Sequence, residues 1–148
     1  MRRTCVVLGI LLALLVTHST LRGQETATAA TGPRGLDFQA FRTKIEPIFL
    51  ARRGDHARCY ACHSQGTPLR LQEMSPGATS WNEEQSRKNF AAMQRVVVPG
   101  QAKLSRLILM PLDHEAGGTE FHPGGKHFKS MDDPEVKTLV AWIMDVKK

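Results

Sequence analysis

Cys59-Tyr60-Ala61-Cys62-His63 is the stretch on which the reading of this chain turns. Two cysteines three positions apart put their sulfurs on one side of a single helical turn. From there both reach the two vinyl groups along one edge of a porphyrin to form thioethers. The histidine that follows is then held beneath the iron as the proximal axial ligand. The pattern is the attachment signature of one covalently bound haem c. It names Cys59, Cys62 and His63 as cofactor-binding residues and His63 as an iron ligand. Other uses of C-x-x-C fit less well. A Cys₄ zinc site needs a second such pair, and the only other cysteine is Cys5. A thioredoxin-like pair opens a helix within a βαβ unit, and no strand-rich pattern surrounds Cys59. A dithiol or mixed Cys/His metal site stays as the alternative.

The N-terminus agrees with export. Arg2 and Arg3 precede an apolar run from Cys5 to Val16 and the polar Thr17 to Thr20, the layout of a secretory signal peptide over residues 1–23. The run is shorter than the roughly 20 residues a bilayer span needs, so an uncleaved membrane anchor is the lesser reading. Haem c is attached outside the cytoplasm, which makes the expected location periplasmic or secreted. Cleavage would remove Cys5 and leave two cysteines, both assigned to haem, with no structural disulfide. It would also remove Arg2, Arg3 and Arg22 and no acids, lowering the formal charge from +6 to +3. That balance suits docking on an acidic redox partner and gives no reason to expect nucleic-acid binding.

Residues 24–35, rich in Thr, Ala and Gly, read as a flexible lead-in. Residues 36–148 read as one domain with a modest core. Leu36, Phe38, Phe41, Ile45, Ile48 and Phe49 recur at helical spacing, predicting a helix from about Asp37 that Pro47 breaks or kinks near its end. A second helix is expected from Ser80, with Glu83 completing a capping box, to about Val96. A short turn is expected over Ser105 to Met110. The last helix has Asp133 as N-cap and Pro134 at its first position, with Val136, Leu139, Val140, Ile143 and Met144 on one face. Trp142 falls at the edge of that stripe. The expected class is all-α.

The chain resembles the cytochrome c superfamily in its small, single-haem, helical form, over roughly Phe38 to Val146. The resemblance is carried by Glu46-Pro47-Ile48-Phe49, the Cys59 to His63 motif, Val98-Pro99-Gly100 with Ser105-Arg106-Leu107, and Leu139-Val140-Ala141-Trp142-Ile143. It implies a helical domain wrapped around one haem. Such domains commonly carry Met-Pro-Pro-Gly-Gly shortly before the last helix, the methionine being the distal ligand. This chain has His122-Pro123-Gly124-Gly125-Lys126 there instead. If the segments correspond, His122 is the second iron ligand. A stiff residue and two permissive ones would also let that loop approach the haem face.

Met110, in Leu109-Met110-Pro111, is the rival ligand; His127, His114 and Met131 are further candidates, and an open position is the remaining case. His56 reads as a solvent-exposed residue. The resemblance also points to the Pro68 carbonyl as acceptor for the proximal imidazole, and Arg70 or Lys126 could pair with haem propionates. A second imidazole gives a lower reduction potential than methionine.

No acid–base pair or nucleophile constellation stands beyond these residues, so the expected role is electron transfer between redox partner proteins, not enzymatic catalysis. The alternatives are a haem sensor or peroxidase-like enzyme with an open distal site, and a cytochrome subunit of a larger redox complex. A non-haem metal module built on His114, Glu115, His122 and His127 is a third class.

Overall fold

A computed structural model describes residues 32–54 and 56–147. The signal segment expected over residues 1–23, and residues 24–31 of the lead-in, lie outside the described residues. Among the described residues the chain is all-α, with no sheet; its extended pairing amounts to isolated bridges, Arg53 with His56 and Leu112 with Phe128. None of the helices among the described residues is long and apolar enough to cross a membrane.

Helix α1 runs without interruption through three segments: α-helical Phe38–Ala40, π-helical Phe41–Ile45 and α-helical Glu46–Leu50. Asp37 caps it, its carboxylate accepting from the Ala40 N–H at 2.7 Å. Pro47 does not break this helix; the distortion expected near its end takes the form of a π segment just before the proline, and the helix stops at Leu50. A proline inside a helix lacks one donor and crowds the preceding turn. Here the preceding turn is wide, with the Glu46 N–H donating five residues back to the Phe41 carbonyl. The π segment absorbs the misfit and α1 continues to Leu50.

Helix α2 is Cys59–His63. Helix α3, Glu83–Ala92, continues into a 3₁₀ turn, Met93–Arg95. Its start lies later than Ser80, and its capping box is Asn82 with Gln85, not Ser80 with Glu83. The reason is tertiary. Trp81 is buried and its indole N–H donates to the Gln72 carbonyl at 2.7 Å, so helical geometry begins only after that side chain is placed. A 3₁₀ turn, Ala102–Leu104, precedes helix α4, Arg106–Leu109. Helix α5 is Pro134–Met144, with the Asp133 carboxylate accepting from the Glu135 N–H at 2.9 Å.

The buried face of α5 is Val136, Leu139, Trp142 and Ile143; Met144 is exposed and Val140 only partly covered. Trp142 is thus central to the core. Its ring lies 5.7 Å from Phe41 and 6.3 Å from Phe90, which are themselves 5.4 Å apart. Burying each such aromatic contributes about 1.5–3 kcal/mol. The Trp142 indole also donates to the Asp37 carbonyl at 3.1 Å, tying the start of α1 to the end of α5. Pro33 is buried, and the Gly35 carbonyl accepts from the Lys147 N–H at 2.8 Å, so the packed unit includes the last lead-in residues. This aromatic block supports one end of α1 and α5. Ile48 and Phe49 of α1 and Leu139 of α5 present apolar side chains to a cavity.

Candidate functional site

The cavity has a volume of about 510 Å³. Helix α2 forms one wall. Its outer residue, Tyr60, accepts from the Met74 N–H at 3.0 Å and sets its ring edge-on to Trp81 at 5.5 Å. With Tyr60 anchored there, Cys59, Cys62 and His63 line the cavity. Neither cysteine is in a disulfide.

After α2 the chain doubles back, the Leu71 N–H donating to the His63 carbonyl at 2.8 Å. This return brings the Leu69 carbonyl to 2.8 Å from His63 Nδ1. Thr67 Oγ1 also lies 2.8 Å from Nδ1, and 2.5 Å from the Leu69 oxygen. The acceptor is therefore Leu69 and not Pro68, because the buried Leu69 side chain sets which carbonyl faces the ring. With Nδ1 engaged, Nε2 is the nitrogen left for the cavity. Burial lowers the His63 pKa, opposed by the Leu69 carbonyl and assisted by His122, which favours the neutral imidazole, the form able to bind a metal.

The facing wall is built by a loop. His122-Pro123-Gly124-Gly125 forms a tight turn, the Gly125 N–H donating to the His122 carbonyl at 2.9 Å. Pro123 suits the second position of such a turn, and Gly125, at φ +81°, adopts a conformation that side chains disfavour. The turn folds its own carbonyl under the ring: His122 Nδ1 lies 2.7 Å from the Gly125 oxygen. Both imidazoles are thus held through Nδ1 by a backbone carbonyl, the arrangement that fixes the tautomer of a metal-bound histidine.

Their rings are 6.3 Å apart, centroid to centroid, with planes 21° apart. That is too far for face contact between carbons, which takes about 3.5–4 Å. One metal ion bonded to both Nε2 atoms at about 2 Å each would set the centroids roughly 6 Å apart. A spacing of that size would leave room for one metal ion held by His63 and His122.

The same wall carries the rival ligands. Met110 and His127 line the cavity; the Met110 sulfur lies 3.6 Å from the Thr119 hydroxyl. Burial lowers the His127 pKa, with further lowering by His56 and Arg53, and its Nδ1 has no hydrogen-bond partner among the described residues. The His56 and His127 rings are 4.8 Å apart. His114 is exposed and outside the lining, and Met131 packs against the core. His114 and Glu115 do not join His122 and His127: among the described residues no three His, Cys, Asp or Glu side chains form a metal-binding group.

Lys126 is not available to an anionic group in the cavity. Its ammonium donates to the Met110 carbonyl at 3.1 Å and to the carbonyl and hydroxyl of Thr119, stapling the loop to the end of α4. Arg70 is exposed and outside the lining. The lining cations are Arg58 and Arg106, both largely exposed, as groups at the cavity mouth would be.

Arg53 clasps the two walls. It donates to the Ile48 carbonyl at 2.5 Å and to the Glu135 carboxylate of α5, and its guanidinium lies 5.3 Å from the Phe128 ring centre. It also lies 3.5 Å from the Cys59 sulfur. Burial raises the Cys59 pKa, and Arg53 pulls against that rise. The sequence reading missed Arg53, Thr67 and the two carbonyls. A threonine four residues beyond the motif histidine was the one local signal on offer.

Comparison of the chain with protein-family models, with curated proteins and with solved structures returns no match.

Proposed function

We propose that this chain is an exported electron-transfer protein of the cytochrome c type, holding one covalent haem c between His63 and His122. The observation that carries the reading is the pair of imidazoles 6.3 Å apart, each tied at Nδ1 to a carbonyl, across an apolar cavity that also receives both motif cysteines. Cys59 and Cys62 would supply the two thioether sulfurs, and Ile48, Phe49, Leu107 and Leu139 the apolar enclosure. Arg58 and Arg106 suit the propionates at the mouth. The haem, when bound, stores one electron as iron alternates between Fe(II) and Fe(III).

The chain's own part is to hold both imidazoles neutral and oriented. With the two ligands fixed, little rearranges when an electron arrives or leaves. The enclosure keeps water from the metal and lowers the local dielectric. A pair of imidazoles and no methionine favours the ferric state, which makes this a lower-potential carrier.

The test is to produce the full chain with a haem c export and maturation system. Haem that stays with the protein through acid–acetone extraction, together with a bis-imidazole near-infrared magnetic circular dichroism signature, is the expected result. A methionine–iron signature would move the distal ligand to Met110. Carbon monoxide binding by the untreated ferrous protein would favour an open-site sensor or peroxidase. Protein free of covalent haem would overturn the reading altogether.

A further inference from the structure

We infer that Thr67 is a positioning residue that sets how strongly His63 donates to its metal, and so sets the reduction potential of the site. The inference rests on the haem reading above and extends it to a residue outside the attachment motif.

Three atoms form a closed triangle. His63 Nδ1 is 2.8 Å from the Leu69 oxygen and 2.8 Å from Thr67 Oγ1, and the two oxygens are 2.5 Å apart. Two protons must be distributed among these contacts, and the geometry allows one arrangement. The Leu69 carbonyl only accepts. Were Nδ1 unprotonated, its lone pair would face the carbonyl lone pairs at 2.8 Å with nothing between them. Nδ1 therefore carries its proton. The Thr67 hydroxyl then cannot donate to Nδ1, so its proton goes to the Leu69 oxygen and its lone pairs face the imidazole N–H. His63 thus shares one N–H between two oxygens, where His122 has one carbonyl.

Two acceptors draw the Nδ1 proton outward and leave more electron density on Nε2. A more basic ligand stabilises Fe(III) over Fe(II) and lowers the potential. The triangle also blocks rotation of the ring about its bond to the chain, since either oxygen would be lost by turning.

The experiment compares wild-type, Thr67→Val and Thr67→Ser proteins, each matured with haem c. Redox titration followed by absorbance is run alongside denaturant unfolding. Thr67→Val keeps the side-chain shape and removes the acceptor. Its potential should rise by up to about a tenfold change in the ferric-to-ferrous ratio, 59 mV for a one-electron couple, and Thr67→Ser should return it toward wild type. A Thr67→Val protein with an intact bis-imidazole spectrum and an unchanged or lower potential overturns the inference, even if it is less stable. Should Thr67→Val fail to fold, proton NMR of the reduced wild type decides. A His63 Nδ1–H resonance with a cross-peak to the Thr67 methyl supports the triangle, and its absence overturns it. Wild-type protein without covalent haem would overturn this inference and the functional reading together, whereas a normal haem spectrum with an unmoved potential removes Thr67 alone.

Discussion

The two walls of the cavity hold chemically identical side chains by different means. His63 ends a helical turn whose outer face is anchored through Tyr60, and its ring meets two oxygens. His122 stands on a four-residue turn and its ring meets one, supplied by the turn itself. The first imidazole is held by two oxygens of the chain that returns after its helix, the second by one carbonyl of its own turn. A helix wall stays in place when its imidazole is removed, while a loop wall can swing with its imidazole.

If the proposed haem is bound, the largest expected effect comes from removing each proposed ligand in turn. His63→Ala should cut the yield of covalently loaded protein about tenfold or more, because the thioethers then form without the ligand that seats the iron. His122→Ala should keep its covalent haem but become high-spin and bind carbon monoxide in the ferrous state. Extraction and ferrous–CO spectra on the two variants check this. Equal loss of haem in both would erase the distinction between the walls.

Arg53 is where the walls are joined, and Arg53→Met asks how much that joint contributes. Its side chain is 13% exposed, while its partner Glu135 keeps 31% of its side chain exposed and can be rehydrated when left alone. The expected loss is therefore about 2 kcal/mol, below the figure for a fully buried pair. Denaturant unfolding measures it. A change within about 0.5 kcal/mol would mean that Phe128 and Ile48 hold the walls together unaided.

Behind the proximal wall, α1 carries a buried carboxylate. Burial pushes the Glu46 pKa up to about 6 from 4.5, opposed by the Ser86 hydroxyl 3.0 Å away, by Arg42 and by Asn89. A group whose pKa rises on folding contributes stability below its unfolded value and loses it as pH climbs through the folded one. Stability should therefore fall between about pH 4.5 and 6, by up to about 2 kcal/mol. Glu46→Gln should match wild type below that window and exceed it by about 1–2 kcal/mol at pH 7. Parallel unfolding curves at both ends of the window give the difference. A constant offset would show that the carboxylate is not titrating where its burial places it.

How much of this was written in the sequence depends on how local each cause is. That Cys59, Cys62 and His63 share one helical turn was legible because the cause is confined to five residues. Helix α5 was legible because Asp133-Pro134 fixes its start within the chain itself. The capping box was misplaced by two residues because Trp81 answers to Gln72, nine positions away. Trp142 was placed at an edge because its ring partners, Phe41 and Phe90, come from other helices. The carbonyls of Leu69 and Gly125 could not be picked out at all. Every residue has a carbonyl, and the fold decides which one faces an imidazole.

The smallest effect is the most direct probe of the loop wall. A Cβ built on Gly124 would lie 3.3 Å from His122 Cε1 and 3.7 Å from its Nδ1, with His127 Nε2 at 3.8 Å. The first contact is a few tenths of an ångström too tight. The Gly124 backbone lies outside the left-handed region, so alanine there brings no conformational strain of its own. Gly124→Ala should therefore leave overall stability within about 0.5 kcal/mol of wild type and press on one ring only. If that ring is held by a turn that can yield, a carbon-monoxide-binding ferrous fraction of about a tenth should appear, the share expected of a minor state about 1.4 kcal/mol above the major one. A fraction no larger than wild type would mean that the loop holds His122 as firmly as the helix holds His63, and the contrast between the walls would then be one of chain geometry without a difference in stiffness.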